Sequence, residues 1–411
     1  MTNSNVDDGA FTPERMGAAT RRLVELLARH IRPGEKTLAY ILSQSNRIGH
    51  FALETQILKS LYEDDYDRIL VVTDQMSLAG TNHWIRSCGG RKFHFIETED
   101  FDVILLGQVD GGLQSIGPLD TLFRRPSSII LDFWRSILAG GEVRSLTLPA
   151  IVEDIAREAL SARGIDPDEP FVLFHNRTLA YRPSMTYHSY RTAEVSTYRE
   201  ALAHLMDSGY RVIRVGEPGM DTMGFEGTAY VNVPDWDGVD PAVDLFVLAR
   251  CAFGLAQNSG PIWAAAAFGR PVLWTNAPFE HLNFPYLDDI TLFKHYRRAG
   301  SDVWLTYKEI LDDDLPSLFR SEDFAERGVE LVSNAPEALL SATQEMLARV
   351  SGNWSRDDAQ NARFQSLGAE FERRVEQDPT FQRNSLNFYG YAHGFGSMSR
   401  AQVDAQPTFL D

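Results

Sequence analysis

The stretch "LAQNSGPIWAAAAFGRPVLW", Leu255–Trp274, decides the fold. An apolar run ends in the polar turn Asn258-Ser259-Gly260-Pro261. Four alanines follow, and Gly269 precedes a second apolar run. The pattern reads strand, tight turn, short helix, strand. Ser259 suits a helix N-cap and Pro261 its first turn. Gly269 suits the helix end, and Arg270-Pro271 stops its continuation. The small residues allow the helix to lie close on a sheet. Its first turn carries unpaired N–H groups and a partial positive charge, which suits a phosphate. An ordinary βαβ crossover has the same local pattern, so the rest of the chain must decide between the two.

With 411 residues the chain is long enough for two domains with cores of their own. Hydrophobic residues make up 44% and charged residues 23%, an ordinary globular composition. No apolar run approaches membrane-spanning length. The beginning, "MTNSNVDDGAFTPERMG", is polar and acidic and lacks the apolar core of a signal peptide. Cys88 and Cys251 are the only cysteines, without ligand-type spacing, so a reducing, cytoplasmic setting is expected. The net charge of −18 argues against nucleic acid as a partner, while a local basic pocket for a nucleotide stays open.

Strand and helix patterns alternate in two blocks, which implies α/β architecture with two doubly wound, mostly parallel sheets. Residues 1–35 read as an N-terminal extension, with 1–20 disordered or loosely attached. The first block, 36–165, has strands expected at Lys36–Ser43, Arg68–Thr73, Lys92–Glu97, Asp102–Gly107 and Ser127–Phe133. Helical spacing marks "HFALETQILKSLYE" and the region of "LAGTNHWIRSCG". A helix ending at Gly164 leads into a Pro- and acid-rich connection at Ile165–Pro170. The second block, 166–350, starts with "FVLFHNR", Phe171–Arg177. "STYREALAHLMDSG" reads as a helix with capping-box spacing of Thr197 and Glu200, closed by Gly209. Strands "YRVIRVG", "AYVNVP" and "AFGLAQ" and the helix "DPAVDLFVLARC" follow. Val329–Val350 and Asp357–Gln377 read as helical, and 351–411 as a helix and aromatic, Gly-rich tail packing back across a cleft.

In doubly wound sheets, ligands sit beyond the carboxyl ends of the strands. The polar residues following each strand are therefore the site candidates. Ser45, Asn46, Arg47, Gly49 and His50 follow the first strand. His175, Asn176 and Arg177 open the second block's loops; Glu217 with Pro218, Asp235 with Asp237, and Asn258, Ser259 and Gly260 follow its later strands. His50 is a candidate general base, since an ordinary imidazole titrates near pH ~6.5, or a solvated residue at a helix start. Arg177 could hold phosphate oxygens bidentately or lie on the surface. Asp235 and Glu217 could meet a base or ribose, or serve simple turns. His188, in "YRPSMTYHSYRT", reads as a ligand-facing or a solvated loop. The acidic runs Glu63–Asp67 and Asp312–Asp314 read as solvated faces rather than metal sites. Phe388, Tyr389 and Tyr391 read as packing residues. No G-x-G-x-x-G follows either block's first strand, which disfavours a Rossmann dehydrogenase.

The stretches "SNRIGHFALETQIL", "YRTAEVSTYREALAHLMDSGYRVIRVGEPG" and "DLFVLARCAFGLAQNSGPIWAAAAFGRPVLWTN" resemble bacterial glycosyltransferases of surface-polysaccharide biosynthesis. The last stretch is also similar, more distantly, to the Ser-Gly-Pro segment of lipopolysaccharide heptosyltransferases. Trp263 follows Pro261 and Ile262 here, where that pattern carries His. The resemblance spans about Lys36 to Asn276, with a weaker echo in "SMSRAQVDAQPTFL". It implies the GT-B fold and sugar transfer from a nucleotide-activated donor held mainly by the second domain. The acceptor would be a glycan, protein or small molecule. No metal and no resident cofactor are expected, and a homo-oligomer is compatible with the reading. Two alternatives stay open: an isomerase of the nucleotide-sugar 2-epimerase type, and a non-catalytic nucleotide- or sugar-binding subunit.

Overall fold

The computed structural model describes residues 11–75, 82–178, 183–221, 223–279, 286–377, 392 and 395–411. The chain divides into two compact units, Met1–Thr147 and Leu148–Asp411. Each is a Rossmann-like α/β unit, and the pair is consistent with the GT-B fold.

The first unit opens with α1 (Pro13–Ala28), where the sequence reading expects a loose segment up to residue 20. Thr12 caps the helix and Pro13 starts it. Ala19, Leu23 and Leu27, spaced four apart, bury one stripe in the same core as Ala39 and Ile41. Arg15 and Arg22 reach Asp102 and Asp100 at 2.5 Å, tying the helix down from its polar side. Then come β1 (Thr37–Leu42), α2 (Ile48–Tyr62), β2 (Arg68–Asp74), a 3₁₀ turn at His83–Gly89, β3 (Phe93–Thr98), α3 (Phe101–Leu105), β4 (Gly112–Ile116), β5 (Leu119–Phe123) and α4 (Pro126–Leu138). The sheet order is β3-β2-β1-β5-β4, parallel except for β4.

Two expected strands of this unit are helices. Residues 102–107 form α3 and a 3₁₀ turn, because the Asp100 carboxylate caps the N–H groups of Asp102 and Val103. Residues 127–133 lie in α4, which Pro126 starts and which buries Ile129, Ile130, Phe133 and Trp134 on one face. Short apolar runs do not distinguish a buried strand from a buried helix. The hairpin β4–β5 takes the strand positions instead.

The second unit contains α5 (Ala150–Ser161), β6 (Phe171–His175), α6 (Arg199–Asp207), β7 (Arg211–Arg214), β8 (Tyr230–Asn232), α7 (Ala242–Arg250), β9 (Gly254–Ala256), α8 (Gly260–Ala267), β10 (Val272–Ala277), β11 (Ile290–Phe293), β12 (His295–Arg298), α9 (Tyr307–Asp312), α10 (Ser321–Glu326), β13 (Val329–Val332), α11 (Pro336–Val350), α12 (Asp358–Gln377), β14 (Ser397–Met398) and α13 (Arg400–Ala405). Helix α5, which the sequence reading puts at the end of the first block, packs on α7. Seven parallel strands run in the order β14-β11-β10-β9-β6-β7-β8. The tail joins this sheet through β14. Helix α12 packs on α9.

Residues 329–332 are strand rather than helix: β13 pairs antiparallel with β12 outside the main sheet. The Thr197–Glu200 capping box does not form either. Helix α6 is preceded by a 3₁₀ turn, its N-cap is Tyr198, and Thr197 Oγ1 donates to the Glu194 carbonyl at 2.7 Å. The opening stretch folds as strand, turn, helix and strand. Gly254 lets α8 lie close on β9, since a Cβ there would collide with Ile262. Gly269, at φ 76°, takes the left-handed conformation that ends α8.

Candidate functional site

Strand β9 lies at the centre of the second sheet, between β10 and β6. Beyond its carboxyl end, Gln257 is fully buried and joins the loops of both neighbours. Its Oε1 accepts from the Arg177 N–H at 2.6 Å; its Nε2 donates to Asn176 Oδ1 at 2.6 Å and to the Tyr198 hydroxyl at 3.1 Å. Tyr198 shares a hydrogen bond with Thr275 at 2.8 Å and accepts one from Asn276 Nδ2 at 2.9 Å. Asn276 and Asn334 then exchange backbone N–H and side-chain oxygen bonds of 2.6 and 2.7 Å. Asn276 sits at φ 48°, where the register of β10 against β11 shifts. Asparagine tolerates that backbone better than most residues. The side chains that make this network, those of Asn176, Tyr198, Gln257, Thr275, Asn276 and Asn334, are buried and neutral.

Over this floor starts α8. Ser259 occupies the N-cap in an extended conformation, yet its side chain caps nothing, and its buried Oγ has no hydrogen-bond partner. Pro261 has no N–H. The N–H groups of Gly260 and Ile262 have no intrahelical acceptor, because four donors open every helix. Asn258 accepts from Trp263 Nε1 at 2.9 Å, and the Trp263 ring packs on Trp274 with centroids 4.7 Å apart. The arrangement presents backbone donors, a hydroxyl and a helix dipole at one place.

The other candidates of this unit are distributed around that centre. His175 ends β6; its Nδ1 donates to the Val215 carbonyl at 3.0 Å, and burial pulls its pKa down to about 4. The ring is therefore neutral at pH 7 and offers no positive charge. Asn176 belongs to the network, and its Nδ2 donates to the Ala193 carbonyl at 3.3 Å. The Arg177 backbone is fixed by Gln257. Glu217 is exposed in the turn after β7, where Met220 N–H reaches its carbonyl. Asp235 is exposed at the end of the 3₁₀ turn Val233–Asp235. His188 lies in the 3₁₀ stretch Pro183–Arg191 with its ring 4.2 Å from that of Tyr187. Phe388, Tyr389 and Tyr391 lie outside the described residues.

In the first unit, the loop after the central strand β1 carries Ser45, Asn46, Arg47 and Gly49 into α2. Ser45 Oγ accepts from the Asp74 N–H at 3.1 Å, joining this loop to the end of β2. His50 stands in the first turn of α2, half-buried. Its Nδ1 lies 2.9 Å from Glu54 Oε1 one turn later. Glu54 is fully buried, and its other oxygen accepts from the Tyr40 hydroxyl at 2.5 Å. Burial and the Glu54 carboxylate push the Tyr40 phenol well above its ordinary range, so it remains a donor. With Nδ1–H turned to Glu54, Nε2 presents a lone pair. A proton taken there creates an imidazolium beside a buried carboxylate, the same logic as in hydrolase triads. Asp132, a second carboxylate of this unit, pairs with Arg124 at 3.0 Å.

Sequence reasoning missed Gln257, Tyr198, Asn276 and Asn334, which carry the floor of the second unit. Nor does it pair Glu54 with His50, although the four-residue spacing on one helix is the available signal. Among the described residues, no group of three or more His, Cys, Asp or Glu is placed to hold a metal ion. Asp64 pairs with Arg144, and Asp312 with Lys308 and Arg374.

No protein-family model and no curated protein sequence matches the chain. Among solved structures it is similar to a glycosyl transferase family 9 protein from Veillonella parvula, at 12% identity and a TM-score of 0.45, over 76% of this chain and 96% of that one. It is similar to the E. coli heptosyltransferase WaaC with ADP at 13% identity and a TM-score of 0.35, over 71% of this chain and 99% of the other. The wall teichoic acid polymerase TagF aligns at 10% identity and a TM-score of 0.31, over 89% of this chain and 99% of the polymerase.

Proposed function

We propose that the chain is a metal-independent glycosyltransferase that moves a sugar from a nucleotide diphosphate to an acceptor hydroxyl. The observation that carries this reading is the start of α8: a buried, unpartnered Ser259 hydroxyl and free first-turn N–H groups at the end of a central parallel strand. Such a place holds the donor pyrophosphate without a metal, since oriented N–H groups and the helix dipole offset the leaving-group charge. Arg177 adds a guanidinium from the adjacent β6 loop. The neutral floor of Gln257, Asn176, Tyr198 and Asn276 keeps the two loops in register.

His50 is the proposed base. Its Nε2 takes the proton of the acceptor hydroxyl as that oxygen attacks the anomeric carbon. The bond from that carbon to the phosphate oxygen breaks, and the nucleoside diphosphate leaves with the electron pair. Glu54 holds the imidazole tautomer and stabilises the imidazolium; Tyr40 holds Glu54.

Calorimetry with nucleoside diphosphates tests the donor half. The wild type is expected to bind one of them equally with and without EDTA. Gly260→Asp should weaken that binding about a hundredfold, since a carboxylate then stands against phosphate, while folding survives because a helix start tolerates Asp. Undiminished binding by Gly260→Asp overturns the phosphate assignment. Loss of wild-type binding in EDTA overturns the metal-free one.

A further inference from the structure

Lys294 follows β11 directly and is buried, with 3% of its surface exposed. Its ammonium donates to the Thr192 carbonyl at 2.7 Å and to Ser333 Oγ at 3.3 Å. Both partners are neutral, and an ammonium has three N–H donors. A buried cation normally has a carboxylate beside it, because desolvation alone disfavours the charge. Burial accordingly pulls Lys294 down to about 8. Lys294 also lines an open pocket of about 390 Å³ to which residues from four segments contribute. Ser189, Thr192, Ser321 and Ser333 line it, with Tyr190 and Phe324 packed on one another beside them. Glu194, the one carboxylate among the described lining residues, is exposed and makes no ion pair with Lys294.

We propose that this pocket is a binding site for a sugar-sized ligand carrying an oxyanion, with Lys294 as the charge that recognises it. The size suits one monosaccharide unit, and the serine and threonine side chains suit its hydroxyl groups. The oxyanion supplies the missing counter-charge and takes up the third ammonium N–H. The site does not depend on the nucleotide reading. Its nearest link to the network beyond β9 is the segment Thr192–Ala193, whose carbonyls accept from Lys294 and Asn176.

Calorimetry with inorganic phosphate, glucose 6-phosphate, glucuronate and glucose, on wild type, Lys294→Met and Gly260→Asp, tests the assignment. The wild type is expected to bind glucuronate or glucose 6-phosphate more tightly than glucose. Lys294→Met should weaken that binding at least about tenfold, the loss expected for a charged hydrogen bond. Gly260→Asp should leave it intact, whatever becomes of nucleotide binding. Preference for glucuronate assigns a sugar carboxylate, and preference for glucose 6-phosphate or inorganic phosphate assigns a phosphate group. Lys294→Met replaces a buried charge by an apolar chain of similar shape and should fold; Lys294→Gln serves as a second variant with the same expectation. Absence of wild-type binding, equal affinity in both Lys294 variants and wild type, equal affinity for glucose, or loss confined to Gly260→Asp overturns the proposal.

Discussion

The two units place their polar interiors on opposite electrostatic footings. Behind His50 in the first unit lies a fully buried carboxylate, Glu54, held by a phenol. The network under α8 in the second unit is made, among the described residues, of amides and hydroxyls: Asn176, Gln257, Tyr198, Thr275, Asn276 and Asn334. The second unit does bury a carboxylate, but at the other end of the strands. Asp289 precedes β11 and accepts from Val272 N, Trp274 Nε1 and Tyr286 N at 2.8–2.9 Å. The difference has a physical sense. A base that becomes a cation gains from a negative neighbour, whereas a cradle for phosphate would be weakened by one. Neutral amides fix geometry there without adding charge.

The largest expected effect tests whether Asp289 is structural. Asp289→Ala removes the acceptor of three N–H donors, two of them buried, and should cost about 4 kcal/mol of the second unit's stability. Burial raises the Asp289 carboxyl to about 7. Its ordinary unfolded value is near ~3.9. A raised acid contributes stability that is fully present below about pH 4 and is lost as pH climbs to about 7. Thermal unfolding between pH 4 and 8 should show that decline in the wild type and a flatter profile in Asp289→Ala. A parallel pair of profiles would remove Asp289 from the account.

Next comes the contrast itself. His50→Ala should lower kcat about a hundredfold or more with donor affinity nearly unchanged. Steady-state kinetics beside calorimetry separates the two quantities, and an unchanged rate would leave the first unit's dyad as a packing feature. The smallest effect is the sharpest test. Glu54→Gln keeps the size and removes the charge, so kcat should fall about tenfold while donor binding and melting temperature hold. Equal losses in rate and stability would instead make Glu54 a part of the core and nothing more.

Local punctuation carried most of the architecture. The β-branched and aromatic runs of β1, β2, β6 and β7 were legible, as was α8 with Ser259 before it and Gly269 after it. Residues 102–107 and 127–133 were not, because a short run with four apolar residues fits both periods and the deciding features, the Asp100 cap and Pro126, act at the boundary. Residues 13–20 read as loose because the chain's beginning is polar, although Ala19, Leu23 and Leu27 mark a helical stripe.

The sequence by itself determined that strands and helices alternate twice and that polar clusters follow the strands, because those features depend on neighbours along the chain. Which clusters meet was decided by sheet order. Strand β9 inserts beside β6 and β10, so Gln257 reaches Asn176 and Tyr198 across gaps of 81 and 59 residues. Asn334 reaches Asn276 across 58. No spacing in the chain encodes such pairs. They exist because parallel strands must be joined by crossovers, and each crossover returns a distant loop to the same end of the sheet.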